Sequence, residues 1–367
     1  MVLKLTDEAL FQSKALIGPR MCESSSGSRV EVFDPATSEV LGTVPEMNSR
    51  DAQAAISEAE SALPAWRSLT AAARSDLLRT WYQLVTDASE DLATLITAEC
   101  GKPMAESRGE VAYAASFLKW YAEEATRAYG DIIPPHQPDK RLLVIKQSIG
   151  VAAAITPWNF PAAMILRKVG AALAAGCTMV VKPAPQTPFT ALALGVLAGR
   201  AGIPAGVLNI VTGSIDSSLE IGTAICKSST VRALSFTGST KAGISLAEQA
   251  ASTVKKVSLE LGGNASFIVF NDADIEGAVE GALAAKFRNS GQTCVCANRF
   301  FVQAEVHDKF VKKLMAAVEY LRVGPGTETD VAVGPLIDNR AYEKVKALVA
   351  DAIHYGAKVE AEGDVSA

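Results

Sequence analysis

The segments Ser258-Leu-Glu-Leu-Gly-Gly-Asn264 and Arg288-Asn-Ser-Gly-Gln-Thr-Cys-Val-Cys296 decide how the rest of the sequence is interpreted. The first ends an apolar, strand-like run with a carboxylate, Glu260, and its glycine pair predicts a sharp turn that a ligand or another backbone can approach. The second places a thiol, Cys294, on a loop that is too polar and glycine-rich for a protein core. A thiol nucleophile and a carboxylate base are the two groups that covalent acyl chemistry needs near neutral pH.

Each residue alone has an ordinary structural interpretation. A single cysteine is most often inert packing, and a single glutamate is most often a solvated charge. The functional interpretation therefore depends on the two motifs occurring together.

Together the motifs resemble the aldehyde dehydrogenase superfamily. The string from Lys286 to Asn298 is similar to the succinate-semialdehyde dehydrogenase branch, and the resemblance extends from about Val30 onward. It implies an NAD(P)-dependent oxidation of succinate semialdehyde to succinate, as in 4-aminobutyrate breakdown. The alternatives are another ω-semialdehyde, such as glutarate semialdehyde, and a catalytically silent chain.

Composition limits the other possibilities. A chain of 367 residues with 49% hydrophobic and 20% charged residues predicts two or three globular domains. The net charge of −5 without a basic stripe argues against nucleic acid, and the longest apolar run, 169–181, is too short for a membrane span. The six cysteines form no CxxC pair, so we predict no metal and a reducing compartment, the cytoplasm or alternatively the mitochondrion.

The order of predicted elements indicates an α/β protein. Short strands are expected over 29–47 and a helical layer over 49–128, and strands then alternate with helices from Val151 to Leu261 as in a doubly wound, Rossmann-like parallel sheet. A second alternating series continues to Tyr355. We place the domain boundary at Gly262-Gly263. The predicted domains are an NAD(P)-binding domain, residues 1–261, and a catalytic α/β domain, residues 262–367.

The resemblance also implies that the catalytic domain is incomplete at the C-terminus. In that family the remainder holds part of the nicotinamide site and a strand that joins the 136–150 region of a partner subunit. The resemblance thus implies a homo-oligomer, a dimer or tetramer. We expect the 367-residue chain by itself to be poorly soluble and weakly active, because core strands and a strand edge would be exposed.

Two strand ends are candidates for cofactor binding. Lys182 follows an apolar strand, although a lysine at a strand end is more commonly just solvated, and Gly238-Ser239 leads from a strand into a helix whose N-terminus suits a pyrophosphate. The motif is neither GxGxxG nor a P-loop, which disfavours a nucleotide kinase. Pro185 stands where many NAD-using relatives carry an acid, so NADP is favoured over NAD. By resemblance, the cofactor-binding residues are Thr156, Trp158, Asn159, Lys182, Ala184, Pro185, Gly238, Ser239 and Leu261.

The resemblance assigns the catalytic roles. Cys294 would attack the aldehyde, the side-chain amide of Asn159 would stabilise the oxyanion, and Glu260 would activate the water that hydrolyses the thioester. Cys296 is expected to form a reversible disulfide with Cys294, as in related enzymes of this branch.

Two arginines close to these groups in sequence are candidates for the substrate carboxylate. Without the resemblance, a structural ion pair is an equally good interpretation of Arg167 and Arg288. The succinate-semialdehyde branch uses arginines at both matching positions to hold that carboxylate.

Overall fold

The computed structural model describes residues 3–360, and the ends of the two predicted domains, 1–2 and 361–367, lie outside the described residues. The strands are β1 (Ala15–Ile17), β2 (Arg20–Cys22), β3 (Arg29–Phe33), β4 (Val40–Pro45), β5 (Asp131–Ile133), β6 (Leu142–Val144), β7 (Val151–Ile155), β8 (Thr178–Lys182), β9 (Leu208–Ile210), β10 (Val231–Thr237), β11 (Lys256–Glu260), β12 (Ala265–Val269) and β13 (Ala297–Val302). The helices are α1 (Ser49–Ser68), α2 (Ala71–Asp87), α3 (Ser89–Cys100), α4 (Met104–Ala125), α5 (Ala163–Ala174), α6 (Pro188–Arg200), α7 (Ile215–Lys227), α8 (Thr240–Ala251), α9 (Ile275–Phe287), α10 (Ala304–Glu319) and α11 (Asn339–His354).

A seven-stranded sheet in the order β11-β10-β7-β8-β9-β1-β2 organises the first part of the chain. The strands from β7 to β11 pair in parallel, whereas β1 and β2 extend the sheet in antiparallel fashion. β7 and β8 are almost completely buried, as expected for parallel strands covered by helices on both faces. The order reverses between β7 and β10, which is the point where such sheets bind ligands. The predicted doubly wound α/β architecture is confirmed.

A second, smaller sheet follows. β12 and β13 pair in parallel, and α9 and α10 cover them. The chain leaves the large sheet at Glu260 and enters the small one at Ala265, so the predicted boundary at Gly262-Gly263 falls between the two sheets. The division into two domains stays a prediction.

The remaining expectations are met unevenly. The strands expected over 29–47 are the antiparallel pair β3 and β4, and α1 to α4 occupy the predicted helical layer. The strand expected over Arg141–Ser148, within the 136–150 region, is shorter in the structure and forms β6, which pairs with β5 in a hairpin whose Ile132 is 83% exposed. Strands β1, β2 and β5 and helix α7 were not predicted. No helix within residues 3–360 is both long and apolar enough to cross a membrane.

A buried lysine closes the end of α7. Lys255 Nζ donates to the main-chain oxygens of Ile225 at 2.9 Å, Ser228 at 2.8 Å and Val231 at 3.1 Å. The last carbonyls of a helix lack partners within the helix, and an ammonium group has three hydrogens to donate. Lys255 therefore joins the end of α7 to the start of β10.

We expect Lys255→Met to lower the free energy of unfolding by about 2–3 kcal/mol, because it leaves carbonyl oxygens without their donor. Urea denaturation followed by circular dichroism measures this change. Lys256→Met is the matched control, since it removes the exposed cation next in sequence. Equal losses in the two variants would show that the three hydrogen bonds contribute nothing specific.

Candidate active site

A cleft with a volume of about 790 Å³ lies where the ends of β7, β10 and β11 meet the loop that carries Cys294. Helix α11 and the residues before it close another part of the wall. Among the predicted site residues, those that line the cleft are Trp158, Asn159, Arg167, Gly238, Ser239, Leu261, Arg288 and Cys294. The structure thus brings the nucleophile, the predicted oxyanion donor and both arginines into one cavity.

The other predicted site residues are not part of the cleft wall. Thr156 and Lys182 lie next to each other at the ends of β7 and β8, where Thr156 N donates to Lys182 O at 3.1 Å. The residues outside the wall are Thr156, Lys182, Ala184, Pro185, Glu260 and Cys296.

The nucleophile loop is tied directly to the predicted oxyanion donor. Asn159 Nδ2 donates to the main-chain oxygen of Gln292 at 2.9 Å, two residues before Cys294. A side-chain amide has two hydrogens, and this bond uses one of them. The second hydrogen is available to a ligand in the cleft.

The glycine turn after β11 also contacts the loop closely. A Cβ atom at Gly263 would lie 3.1 Å from the main-chain oxygen of Cys294. A side chain there would press on the nucleophile loop, so the close backbone approach predicted for the glycine pair is observed at Gly263.

The two neighbouring cysteines have different surroundings. Cys294 is exposed, whereas Cys296 is buried with its Sγ 2.8 Å from Thr293 Oγ1 and 3.5 Å from the main-chain oxygen of Lys286. Only Cys294 faces the cleft, which supports its assignment as nucleophile. The disulfide between them stays a prediction.

Glu260 ends β11 with an exposed side chain, and its main-chain oxygen accepts a hydrogen bond from Gly238 N at 3.0 Å.

A residue that the sequence did not suggest lies near Glu260. Lys168 is buried on α5 and donates to Ser235 Oγ at 2.9 Å. Burial, together with the positive charge of Arg167, lowers the pKa of Lys168 to about 8, while Glu260 opposes the change. The sequence feature that could have indicated Lys168 is its position directly before the long apolar run 169–181.

Neither arginine of the cleft forms a salt bridge within residues 3–360. Arg167 donates to the Tyr113 hydroxyl at 2.5 Å and lies 4.8 Å from the ring centre of Phe117. Arg288 lies 4.9 Å from the ring centre of Phe160. Aromatic faces orient a guanidinium without neutralising it. The structural ion pairs considered for these arginines are therefore not present in this part of the chain.

The edge formed by β8, β7 and β10 suits a polar cofactor. Lys182 is 2% exposed, and its Nζ has no hydrogen-bond partner in the described residues. Burial lowers the pKa of Lys182 to about 7, and Glu46 opposes the change. Thr156 Oγ1 and Thr237 Oγ1 are buried near the strand ends, also without partners among residues 3–360. Ser239 caps α8 by accepting from Ala242 N at 3.3 Å.

Gly238 keeps this edge free of side chains. A Cβ atom there would lie 2.5 Å from Phe236 Cζ, so the packed ring leaves no room for it. The unpartnered donors, the helix N-terminus and the bare glycine fit a dinucleotide.

Residues 3–360 contain no group of three or more His, Cys, Asp or Glu side chains arranged to hold a metal ion.

Known proteins resemble this chain along nearly its whole length. Glutarate-semialdehyde dehydrogenase of Pseudomonas putida is 58% identical over 361 residues, which are 98% of this chain and 75% of the relative. The NADP(+) succinate-semialdehyde dehydrogenase of Escherichia coli is 57% identical over 98% of this chain and 74% of its own length. The crystal structure of succinate-semialdehyde dehydrogenase from Burkholderia pseudomallei, 54% identical, matches 98% of this chain and 74% of its own with a TM-score of 0.96. A family model described as the aldehyde dehydrogenase family matches residues 21–367, and the chain belongs to that family.

Proposed function

We propose that this protein oxidises succinate semialdehyde to succinate with NADP⁺ or NAD⁺, through a thioester on Cys294. The observation that carries the proposal is that Cys294 and Asn159 share one cleft with Arg167 and Arg288, neither of which forms a salt bridge within residues 3–360. Two guanidinium groups close to a nucleophile suit an aldehyde that carries its own carboxylate. The relatives named for succinate and glutarate semialdehyde support the same substrate class.

Acylation begins at Cys294. Its thiolate attacks the aldehyde carbon and forms a tetrahedral adduct whose oxygen bears a negative charge. The free hydrogen of the Asn159 amide and the main-chain N–H of Cys294 donate to that oxygen. The bond from Asn159 to Gln292 keeps the amide in place, so little reorganisation is needed when the charge develops.

Deacylation uses Glu260 as the base. Its carboxylate removes a proton from the water that attacks the thioester, and the acid product leaves as the Cys294 thiol forms again. Glu260 is exposed, while Leu261 and the glycines after it line the cleft. We propose that its side chain rotates towards the cleft for this step.

The cofactor would lie along the edge from Lys182 to Ser239. Lys182, Thr156 and the N-terminus of α8 would bind its ribose and phosphate groups. When bound, it would accept the hydride that the tetrahedral adduct on Cys294 releases as it becomes the thioester. Pro185 places no carboxylate near the adenosine ribose, and the Escherichia coli relative is named for NADP(+). Both observations favour NADP⁺.

Glutarate semialdehyde is the second candidate substrate. It is one methylene longer, and the 58% identical relative from Pseudomonas putida is named for it. Comparing kcat/KM for the two semialdehydes decides between them.

A cytoplasmic location, with the mitochondrion as the alternative, and assembly into a homo-oligomer are further parts of this proposal. The hairpin of β5 and β6 supports assembly, because it exposes Ile132, Leu143 and Val144.

We expect Cys294→Ala to abolish formation of reduced cofactor with succinate semialdehyde, because no nucleophile remains. Binding of NADP⁺, measured by calorimetry, should stay nearly unchanged. Cys22→Ala is the control, since it removes a half-buried cysteine outside the cleft. Substantial turnover in Cys294→Ala would disprove the assigned mechanism.

We expect Arg288→Ala to reduce kcat/KM for succinate semialdehyde roughly 10- to 150-fold, because loss of a charged hydrogen bond costs about 1.5–3 kcal/mol in the transition state. The value for butanal, which has no carboxylate, should change little. Arg299→Ala removes a nearby arginine that is not part of the cleft wall and serves as control. A similar loss with both aldehydes would instead indicate a structural role for Arg288.

Lys182 gives a pH test of cofactor binding. Its pKa is about 7 in the free protein, and a bound phosphate would stabilise the charged form and raise that pKa. Below pH 7 the ammonium is already present, whereas above it binding must take up a proton. The Kd for NADP⁺ should therefore rise with pH, by up to about tenfold per unit.

The matched variants are Lys182→Met, in which this dependence should vanish, and Lys227→Met, which removes an exposed cation and should retain it. Calorimetric titration across the neutral range measures both. A dependence that survives in Lys182→Met would assign it to another group.

A further inference from the structure

The turn from α3 into α4, Gly101-Lys-Pro-Met-Ala-Glu-Ser-Arg-Gly-Glu110, contains an ion pair that the sequence did not suggest. Lys102 and Glu110 are each 1% exposed, and Lys102 Nζ lies 2.5 Å from Glu110 Oε2. A buried ion pair adds little net stability relative to apolar packing, because both charges lose their hydration. Its other contacts therefore indicate what it does.

Those contacts all lie on one short segment of the active site. Lys102 Nζ also donates to the main-chain oxygen of Asn159 at 2.7 Å. Glu110 Oε1 accepts from Ala162 N at 2.9 Å and Ala163 N at 3.3 Å, at the start of α5. The pair thus holds both ends of the five-residue stretch that begins with the predicted oxyanion donor.

The same helix holds the nucleophile loop. Glu106 Oε2 accepts from the main-chain N–H of Asn289 at 2.9 Å, and Asn289 has the left-handed φ of 49°. The Asn289 amide then donates to the Asn159 main-chain oxygen at 3.3 Å. The main-chain oxygen of Asn159 therefore accepts hydrogen bonds from both Lys102 and Asn289 of the nucleophile loop. The side-chain amide of Asn159 donates to Gln292 of the same loop.

We propose that Lys102 and Glu110 are positioning residues, which hold Asn159 so that the free hydrogen of its amide points to the oxyanion formed on Cys294. The proposal rests on the function proposed above. Neither residue lines the cleft, so neither contacts the substrate. Their effect arises because a displacement of about 1 Å at a catalytic group can cost about 100-fold in rate.

The test uses two variants of the full chain. Lys102→Met keeps the length of the side chain without its charge, and Glu110→Gln keeps an oxygen acceptor for the start of α5. In both, the burst of reduced cofactor with succinate semialdehyde should slow by about 100-fold. The Kd for NADP⁺ and the rate of Cys294 alkylation by iodoacetamide should not change.

Arg108→Met is the matched control. It removes an exposed cation of α4 whose partner, Glu90, is also at the surface. Its burst should equal that of the unaltered chain, and a slowed burst would overturn the proposal.

A double-mutant cycle separates positioning from a general structural role. In an Asn159→Ala background, Lys102→Met should cause no further slowing, because the group it positions is missing. The same fold-loss in both backgrounds would overturn the positioning role while leaving the proposed function intact. An unchanged burst in Asn159→Ala alone would overturn the oxyanion role and the positioning role together.

Hydrogen exchange tests the proposal without turnover. In Glu110→Gln, peptides that cover the start of α5, 160–166, should exchange faster, whereas peptides of β9 should not. Faster exchange throughout the chain, or no change at the start of α5, would overturn the proposal.

Discussion

The parallel register of the large sheet is the constraint on which the rest of the structure depends. Ile155 of β7 pairs with Lys182 of β8 on one side and with Phe236 of β10 on the other, and Thr237 of β10 pairs with Glu260 of β11. Because parallel strands end at the same edge, four chain segments that are distant in sequence deliver their polar residues to one place. The cleft and the cofactor edge are both consequences of this pairing.

The cations at this edge form no salt bridge with a carboxylate within residues 3–360. Lys182 is buried without a hydrogen-bond partner in residues 3–360, and Arg167 and Arg288 lie against aromatic rings instead of carboxylates. Lys255, which lies away from this edge, shows how the fold satisfies a buried cation that serves the structure, with main-chain carbonyl oxygens. Groups that remain unsatisfied in a well-packed protein mark the place where a ligand supplies the missing partner.

Much of this arrangement could be predicted from sequence, because strands, turns and the motifs around Glu260 and Cys294 are local patterns. Helix α7 was missed, although Ser214 caps it and Ile221 and Ile225 point to the core, since serine, glycine and threonine dilute its apolar period. The Gly101-Lys-Pro103 turn lies within the predicted helical layer, and its local pattern gives no sign of the buried ion pair.

What could not be predicted is long-range contact. Lys102 meets Asn159 across 57 positions, and Glu106 meets Asn289 across 183 positions. Hydrophobic periodicity reports local structure and cannot indicate which distant residues come into contact. The same limit applies to Lys168, whose neighbour Ser235 comes from a different strand.

The contact between Gly263 and the Cys294 carbonyl has a consequence for how the family can vary. The nucleophile loop can approach the sheet edge this closely because residue 263 has no side chain. A Cβ atom there would lie only 3.1 Å from the main-chain oxygen of Cys294. A single added carbon would act as a wedge that moves the thiol relative to the sheet. Position 263 thus affects the placement of the nucleophile through its backbone contact, although glycine has no side chain to take part in the chemistry.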